Sequence, residues 1–433
     1  MERSGPELSV IPRLDARPGL RLLSYLALLP AGAVAPVLPS LSRNMGRVPY
    51  THAMGITAQA YLTGFGSYLP GEPVDNDGIV ARLGGDDRVT ERIRRQVLAS
   101  NGIRQRHYAL DEHGEPTELN EQLAVKALTA ALDDRGIEAA DLRMLGCATT
   151  MGDVLVPGFA SMVHGRLGGG PMQLLTASGV CASSLAALDA VVSKIKLGDH
   201  PRAAVVASEL PSRSLRQRRY DGIRAGMDAH FLRWMLSDGA AAVIVEFQPH
   251  PTKLSLRVDW VRHVSLAHEN PVCMRAGMTG DETTVGGTWQ DGSIADADAA
   301  GMFLLRQDVG MLDDLAEAGI RQFEELVDIG LIDVGRLDHV ICHYSTNVFR
   351  DVAFDALKRR IPSLDTDRWF SNLETRGNTG SASIFVALEE AFHAGRFGPG
   401  ETVLLAVPES GRFSFAFAHL TVVAPPNYQG AQS

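Results

Sequence analysis

From Ala58 onward, short apolar runs alternate with longer stretches whose apolar residues recur at helical spacing. The runs Cys147–Thr150, Ala203–Ser208, Ala241–Glu246, His339–His343 and Val403–Val407 are predicted as strands. The stretches Glu118–Arg135, Ser183–Leu197, Met311–Gly330, Phe349–Arg360 and Ser381–Ala394 are predicted as helices. Strand and helix signals in alternation predict an α/β architecture.

Two halves of this pattern repeat one another. Gly-Val-Cys181-Ala-Ser-Ser opens a helix that ends at Gly198, seventeen residues on, before the strand that closes at Glu209. Gly-Asn378-Thr-Gly-Ser-Ala opens a helix that ends at Gly395, again seventeen residues on, before the strand that closes at Glu409. Upstream, Asp141-Leu-Arg-Met-Leu-Gly-Cys147 echoes Arg336-Leu-Asp-His-Val-Ile-Cys342. Three matches in one order predict a duplicated α/β unit, with Cys181 and Asn378 at equivalent positions.

Composition adds limits rather than elements. The chain has 433 residues and a formal net charge of -10, which suits a globular protein with two cored units. That acidic balance excludes nonspecific nucleic-acid binding, which needs many phosphate-neutralising cations. Four cysteines without a Cys-x-x-Cys pair or zinc spacing predict neither a disulfide framework nor a metal site. A reducing, cytoplasmic compartment is the expectation. Residues 1–53 hold six arginines against Glu2, Glu7 and Asp15. Their apolar stretch Leu20–Leu41 superficially matches a secretory signal, but Pro30, Pro36 and Pro39 argue against a spanning helix. Residues 1–57 are read as a poorly ordered N-terminal extension, with 58–250 and 251–433 as the two halves and no membrane association.

Three side chains stand where chemistry could be done. Cys181 precedes a helix, whose N-terminal dipole and free N–H groups favour a thiolate and can stabilise an oxyanion. His343 ends an apolar strand, where α/β folds present functional groups. Each also has a plain structural reading: Cys181 as a small core residue, His343 as a packed histidine, Asn378 as a helix cap. Cys147 and Cys342 lie in apolar strands, and nothing near Cys273 in the sequence would activate it.

Taken together, the motifs are more specific. Gly64-Phe-Gly-Ser-Tyr-Leu-Pro70, Asn101-Gly-Ile-Arg-Gln-Arg-His107, Cys181-Ala-Ser-Ser, Ser237-Asp-Gly-Ala-Ala-Ala-Val, the histidine strand and Gly377-Asn-Thr-Gly-Ser-Ala-Ser-Ile384 follow one another in order. In this, residues 60 to about 425 resemble the β-ketoacyl-(acyl carrier protein) synthase III family of condensing enzymes. The resemblance implies a thiolase-like fold of two duplicated halves in a five-layered α-β-α-β-α arrangement. It also implies a Cys181–His343–Asn378 triad and a first oxyanion hole from the backbone N–H groups of Cys181 and Gly411. The implied reaction is a ping-pong Claisen condensation of two thioesters through an acyl-cysteine, within fatty-acid-like or specialised (polyketide, dialkylresorcinol or cyclohexenone-type) biosynthesis. No cofactor is implied beyond the acyl-CoA or acyl carrier protein thioesters themselves, and the implied assembly is a homodimer. The alternatives are an acyltransferase of the same fold making an ester or amide, and a noncatalytic partner subunit of a heterodimeric ketosynthase.

Several departures from the family pattern point to a specialised member. Ser410 and Arg412 replace glycines of the turn around Gly411, and Asn347 falls one residue later than the family's histidine loop places it. The tryptophan that priming enzymes carry before Gly-Ile-Arg is missing, with Arg92, Arg94 and Arg95 nearby instead. Val156 falls where the family's dimer partner inserts an aromatic into the acyl pocket, so a smaller residue there would admit a longer chain. Lengthened regions at about 212–231 and 258–300 would reshape the pocket and its entrance. Arg213, Arg216, Arg218, Arg219 and Arg224 form the strongest basic run and are expected to dock an acidic carrier protein or CoA phosphates.

Overall fold

A computed structural model describes residues 58–280, 283–425 and 428. The expected N-terminal extension, residues 1–57, lies outside the described residues. Ten strands form the main sheet: β1 (Tyr61–Tyr68), β2 (Met144–Thr149), β3 (Gln173–Ser178), β4 (Arg202–Glu209), β5 (Gly239–Glu246), β6 (Ser255–Ser265), β7 (His339–Cys342), β8 (Trp369–Phe370), β9 (Thr402–Glu409) and β10 (Ser414–Val423). The spatial order is β8-β7-β9-β10-β6-β1-β5-β4-β2-β3. The first five strands thus run 3-2-4-5-1, and the last five repeat that order as 8-7-9-10-6. In each half three neighbours are parallel and the rest antiparallel. The halves join where Tyr61 and Leu62 pair with Arg257 and Leu256.

Register confirms the duplication. Met144 pairs with Ala203 and Cys147 with Val206, just as His339 pairs with Val403 and Cys342 with Ala406. His343 therefore corresponds to Ala148, one residue beyond Cys147.

The main helices are α1 (Asn120–Arg135), α2 (Phe159–Leu167), α3 (Ser183–Lys196), α4 (Leu312–Asp328), α5 (Asn347–Arg360) and α6 (Ser383–His393). Helices α3 and α6 are apolar around much of their circumference because both sheet halves pack on them. Leu185, Leu188, Val191 and Ile195 of α3 share one core with Ile384, Phe385 and Leu388 of α6. Strands β4 and β5 read as continuous Ala/Val runs because both of their faces are covered. Helices α1 and α2 cover the outer face of the first half, and α4 and α5 that of the second. The result is the expected α-β-α-β-α layering.

At α1 the helix backbone sits on the sheet itself. A Cβ on Gly66 would lie 2.3 Å from Ala131 N and 2.6 Å from Ala127 O, so only glycine allows this approach. Among the described residues, no helix is long and apolar enough to cross a membrane.

Candidate active site

The C-terminal ends of the parallel strands bring the chemistry together. Cys181 lies between β3 and α3, two residues ahead of the helix. His343 continues β7 by one residue, its N–H donating to Ala406 C=O of β9 at 2.9 Å. Asn378 stands in the turn before α6. Its N–H donates to Met235 C=O at 3.3 Å, and its C=O accepts from Ser237 N–H at 2.8 Å. The Ser237-Asp-Gly motif is thus a bracket for Asn378. It is anchored in turn by the buried Asp238, which accepts from Ala109 N–H at 2.7 Å and Ser212 N–H at 2.9 Å. Asn378 Oδ1 accepts from Gly380 N–H at 3.0 Å, which leaves the side-chain NH₂ as the donor for a ligand.

The sulfur of Cys181 lies 3.2 Å from His343 Nε2, and both residues face one cavity with Asn378. Burial lowers the His343 pKa to about 4, so the imidazole is neutral near pH 7. The thiol is pushed well above the usual cysteine range, first by burial and then by the carboxylates of Glu409 and Glu209. The expected helix-end thiolate is therefore corrected: desolvation and two acids outweigh the dipole, and the resting pair is thiol and imidazole. A thiol that donates to Nε2 requires the neutral ring's own proton on Nδ1. The arrangement suits a nucleophile that loses its proton only as it attacks, with His343 as base.

Neither acid was singled out by the sequence motifs. Glu209 and Glu409 end the equivalent strands β4 and β9, and each reaches across to the other half. Glu409 Oε2 accepts from Ala182 N–H at 2.9 Å, beside the nucleophile. Glu209 Oε1 accepts from Ser381 Oγ at 2.5 Å and from Thr150 N–H and Oγ at 2.9 Å, beside the Asn378 turn. Burial raises the Glu209 pKa to about 7 and moves that of Glu409 upward. The sequence signal was modest: each half closes its fourth strand on Glu at the strand edge that carries the site.

The cavity measures about 650 Å³ and is mostly apolar. The two lengthened regions contribute to it: Arg219 and Phe231 from the first, and Met274, Gly277 and Trp289 from the second. Val156 is 82% exposed and does not line this chain's own cavity, whereas Met151 and Leu155 do. Gly411 follows Glu409, and a Cβ built on it would lie 3.2 Å from Glu409 Oε1 and from Val180 Cγ2. Its carbonyl accepts from Cys273 and Met274 N–H, and the positive φ of the turn falls on Phe413 at 55°, not on a glycine.

The five arginines do not form one surface. Arg216 is 4% exposed and bonds Gly114 C=O and Glu115, while Arg213 bonds Asp153 at 2.8 Å. Arg218 lies 3.8 Å from Glu115, Arg219 pairs with Asp298 at 3.5 Å and lines the cavity, and Arg224 is exposed. Of the other cysteines, Cys147 is buried in β2. Cys342 lies on the cavity wall with its thiol pushed up to about 12, and Cys273 accepts from Gln307 Nε2 at 2.9 Å. Among the described residues no group of His, Cys, Asp or Glu is placed to hold a metal ion.

Comparison with known proteins places this geometry. Residues 332–416, which carry His343, Asn378 and Gly411, match the family model described as 3-Oxoacyl-[acyl-carrier-protein (ACP)] synthase III C terminal. The fold superposes on the tetronic acid condensing enzyme AbyA1 with a TM-score of 0.66 at 22% identity, covering 84% of this chain and 99% of that one. It superposes on 3-oxoacyl-(acyl carrier protein) synthase III, FabH, from Pseudomonas aeruginosa with a TM-score of 0.62 at 22% identity, covering 84% and 98%. OleA from Xanthomonas campestris gives a TM-score of 0.64 at 16% identity over 84% and 97%. The shared fold is thiolase-like, and the chain resembles the synthase III group of condensing enzymes.

Proposed function

We propose that this chain is a condensing enzyme that joins two acyl thioesters by Claisen-type carbon–carbon bond formation through an acyl-Cys181 intermediate. The observation that carries the reading is the 3.2 Å contact between Cys181 Sγ and neutral His343 Nε2, beside Asn378, in an apolar cavity. Cys181 passes its proton to Nε2 as the sulfur attacks the first thioester, whose CoA or carrier thiolate then leaves as the thiol with that proton. The acyl group remains on sulfur. With its ring proton on Nε2, neutral His343 then donates with the Asn378 NH₂ to the carbonyl oxygen of the second thioester as enolate charge develops. That charge arises by loss of CO₂ from a malonyl-type extender, or by transfer to water of the acidic α-proton of a β-ketoacyl one. The carbanion attacks the acyl carbon, the carbon–carbon bond forms as the carbon–sulfur bond breaks, and the released Cys181 thiolate takes a proton from water. The backbone N–H groups of Cys181 and Gly411 serve the first oxyanion in this scheme.

The matched C-terminal family model and the shared fold support this reading, and so does the likeness to AbyA1, a tetronic acid condensing enzyme. A cytoplasmic homodimer using CoA or acyl carrier protein thioesters, in fatty-acid-like or specialised biosynthesis, completes it. Incubation with pairs of acyl thioesters, one carrying ¹³C at the α-carbon, tests it by mass spectrometry. A β-ketoacyl product joining both chains through the labelled carbon is expected. An ester or amide as sole product would contradict carbon–carbon bond formation.

A further inference from the structure

Between β6 and α4 the chain folds a short antiparallel ribbon, in which Met274–Arg275 pairs with Arg306–Gln307. This ribbon is tied to the turn that carries Gly411. The N–H groups of Cys273 and Met274 donate to Gly411 C=O at 3.0 and 3.2 Å. Ser410 Oγ donates to Gln307 Oε1 at 3.0 Å, and Gln307 Nε2 donates to Cys273 Sγ at 2.9 Å. Arg412 Nε donates to Asn270 C=O at 2.8 Å, so both side chains that flank Gly411 bond the segment between β6 and α4. Leu266 N–H adds a bond to Phe413 C=O at 2.8 Å. Phe413 stands at φ 55°, a conformation that a bulky residue keeps only where its surroundings hold it.

The Gly411 N–H belongs to the peptide between Ser410 and Gly411. The ribbon holds that peptide from both ends, through the Ser410 hydroxyl and through the Gly411 carbonyl. Among the described residues nothing accepts the N–H itself. On the other side the turn meets the nucleophile's loop, a Cβ built on Gly411 lying 3.2 Å from Val180 Cγ2. Gln307 is 2% exposed and Cys273 is buried, so bulk water does not compete for these bonds. We propose that Gln307 and Ser410 are positioning residues: through the ribbon they hold the Gly411 N–H where it meets the oxyanion formed as Cys181 is acylated. This rests on the functional reading above, in which Gly411 serves that oxyanion, and it adds two residues to the scheme. A donor displaced by about 1 Å loses much of its grip on a developing charge, so the link acts on rate and not on binding.

Gln307→Leu removes both of that side chain's bonds, and Ser410→Ala deletes one oxygen. Two reactions of Cys181 in the full chain are compared by single-turnover mass spectrometry. p-Nitrophenyl butanoate acylates the sulfur through a tetrahedral oxyanion and needs neither CoA nor a carrier protein. Iodoacetamide alkylates the same sulfur by displacing iodide, with no oxyanion at a carbonyl. Each variant is expected to be acylated about tenfold more slowly, or worse, at saturating ester. The half-saturating ester concentration and the alkylation rate are expected to stay at their wild-type values. The double variant should be no slower than the slower single one, since both act through one link. Ser410→Thr keeps the hydroxyl and is expected to restore the rate. Should Gln307→Leu fail to fold, Ser410→Ala decides alone. Acylation at the wild-type rate in the folded variants would overturn the proposal, and so would alkylation that slows in step with acylation. If the variants slow ester acylation but no thioester acylates wild type, the positioning role stands while the condensing reading falls.

Discussion

The two halves share strand order and register, yet they treat their outer helices in opposite ways. In the first half α1 lies on the strand backbone, with Gly64 and Gly66 of β1 accepting Ala131 so closely that a Cβ at Gly66 would stand 2.3 Å from a backbone nitrogen. In the second half α4 rests on the ring of Phe415, and a cavity opens between helix and sheet. The chemistry divides along the same line. The first half carries Cys181, the proposed nucleophile, and places buried Ala148 where the second half places His343. The halves thus differ in two ways: the first seats α1 on strand backbone and supplies Cys181, and the second borders open space through α4 and supplies His343 and Asn378.

Substitutions can break or sharpen this contrast. The largest effect is expected at His343. His343→Ala removes the base 3.2 Å from the sulfur and should slow Cys181 acylation about 10²- to 10⁴-fold in single-turnover mass spectrometry, with the fold retained. Gly66→Ala comes next. Its methyl meets immovable helix backbone, so a loss of about 3 kcal/mol or more is expected in denaturant unfolding. The outcome at Gly319→Ala should be much smaller. Its methyl meets only the edge of a ring that borders a cavity, and alanine gains about 1 kcal/mol of helix propensity. Stability is therefore expected to hold or rise slightly. Equal losses at the two glycines would remove the packing contrast.

The paired acids offer a subtler comparison. Glu209 has a folded pKa of about 7 against an ordinary 4.5, so the folded state holds the extra proton between those values. Its contribution to stability is full below pH 4.5 and is lost as pH rises through 7. Glu209→Gln should flatten the fall in melting temperature between about pH 5 and about pH 8 relative to wild type. His343 has the opposite sign: its folded pKa lies near 4, below the ordinary 6.5, so its contribution is lost as pH falls through 4. The difference between wild type and Glu209→Gln isolates the acid. An identical pH dependence in the two proteins would show that Glu209 is ionised in the fold.

Much of this was legible in the chain. The five strands foreseen lie within three residues of β2, β4, β5, β7 and β9, because buried Ala/Val/Leu runs bounded by turns carry a strong local signal. The foreseen helices match for the same reason, their apolar spacing and closing glycines being local too. Strands β1, β3, β6, β8 and β10 were not foreseen: Gly64 and Gly66 dilute β1, and Arg257, Asp259, Arg262 and His263 interrupt β6. The meeting of Cys181, His343 and Asn378 was implied by the resemblance to the synthase III family, with which the duplication agrees. The charge state of the cysteine did not, since it depends on burial and on Glu209 and Glu409, which approach from distant strands. The arginine run shows the converse limit. Its residues are adjacent in sequence, yet Arg213 and Arg216 turn inward to Asp153 and Glu115 while Arg224 faces solvent.

The central claim is that Cys181 carries the acyl group. Intact-mass spectrometry of the full chain after incubation with acyl-CoA and acyl carrier protein thioesters, followed by peptide mapping, tests it directly. The account predicts one added acyl mass on the Cys181 peptide, absent in Cys181→Ala. Acyl mass that persists in Cys181→Ala, or no acylation of wild type by any donor, would contradict it.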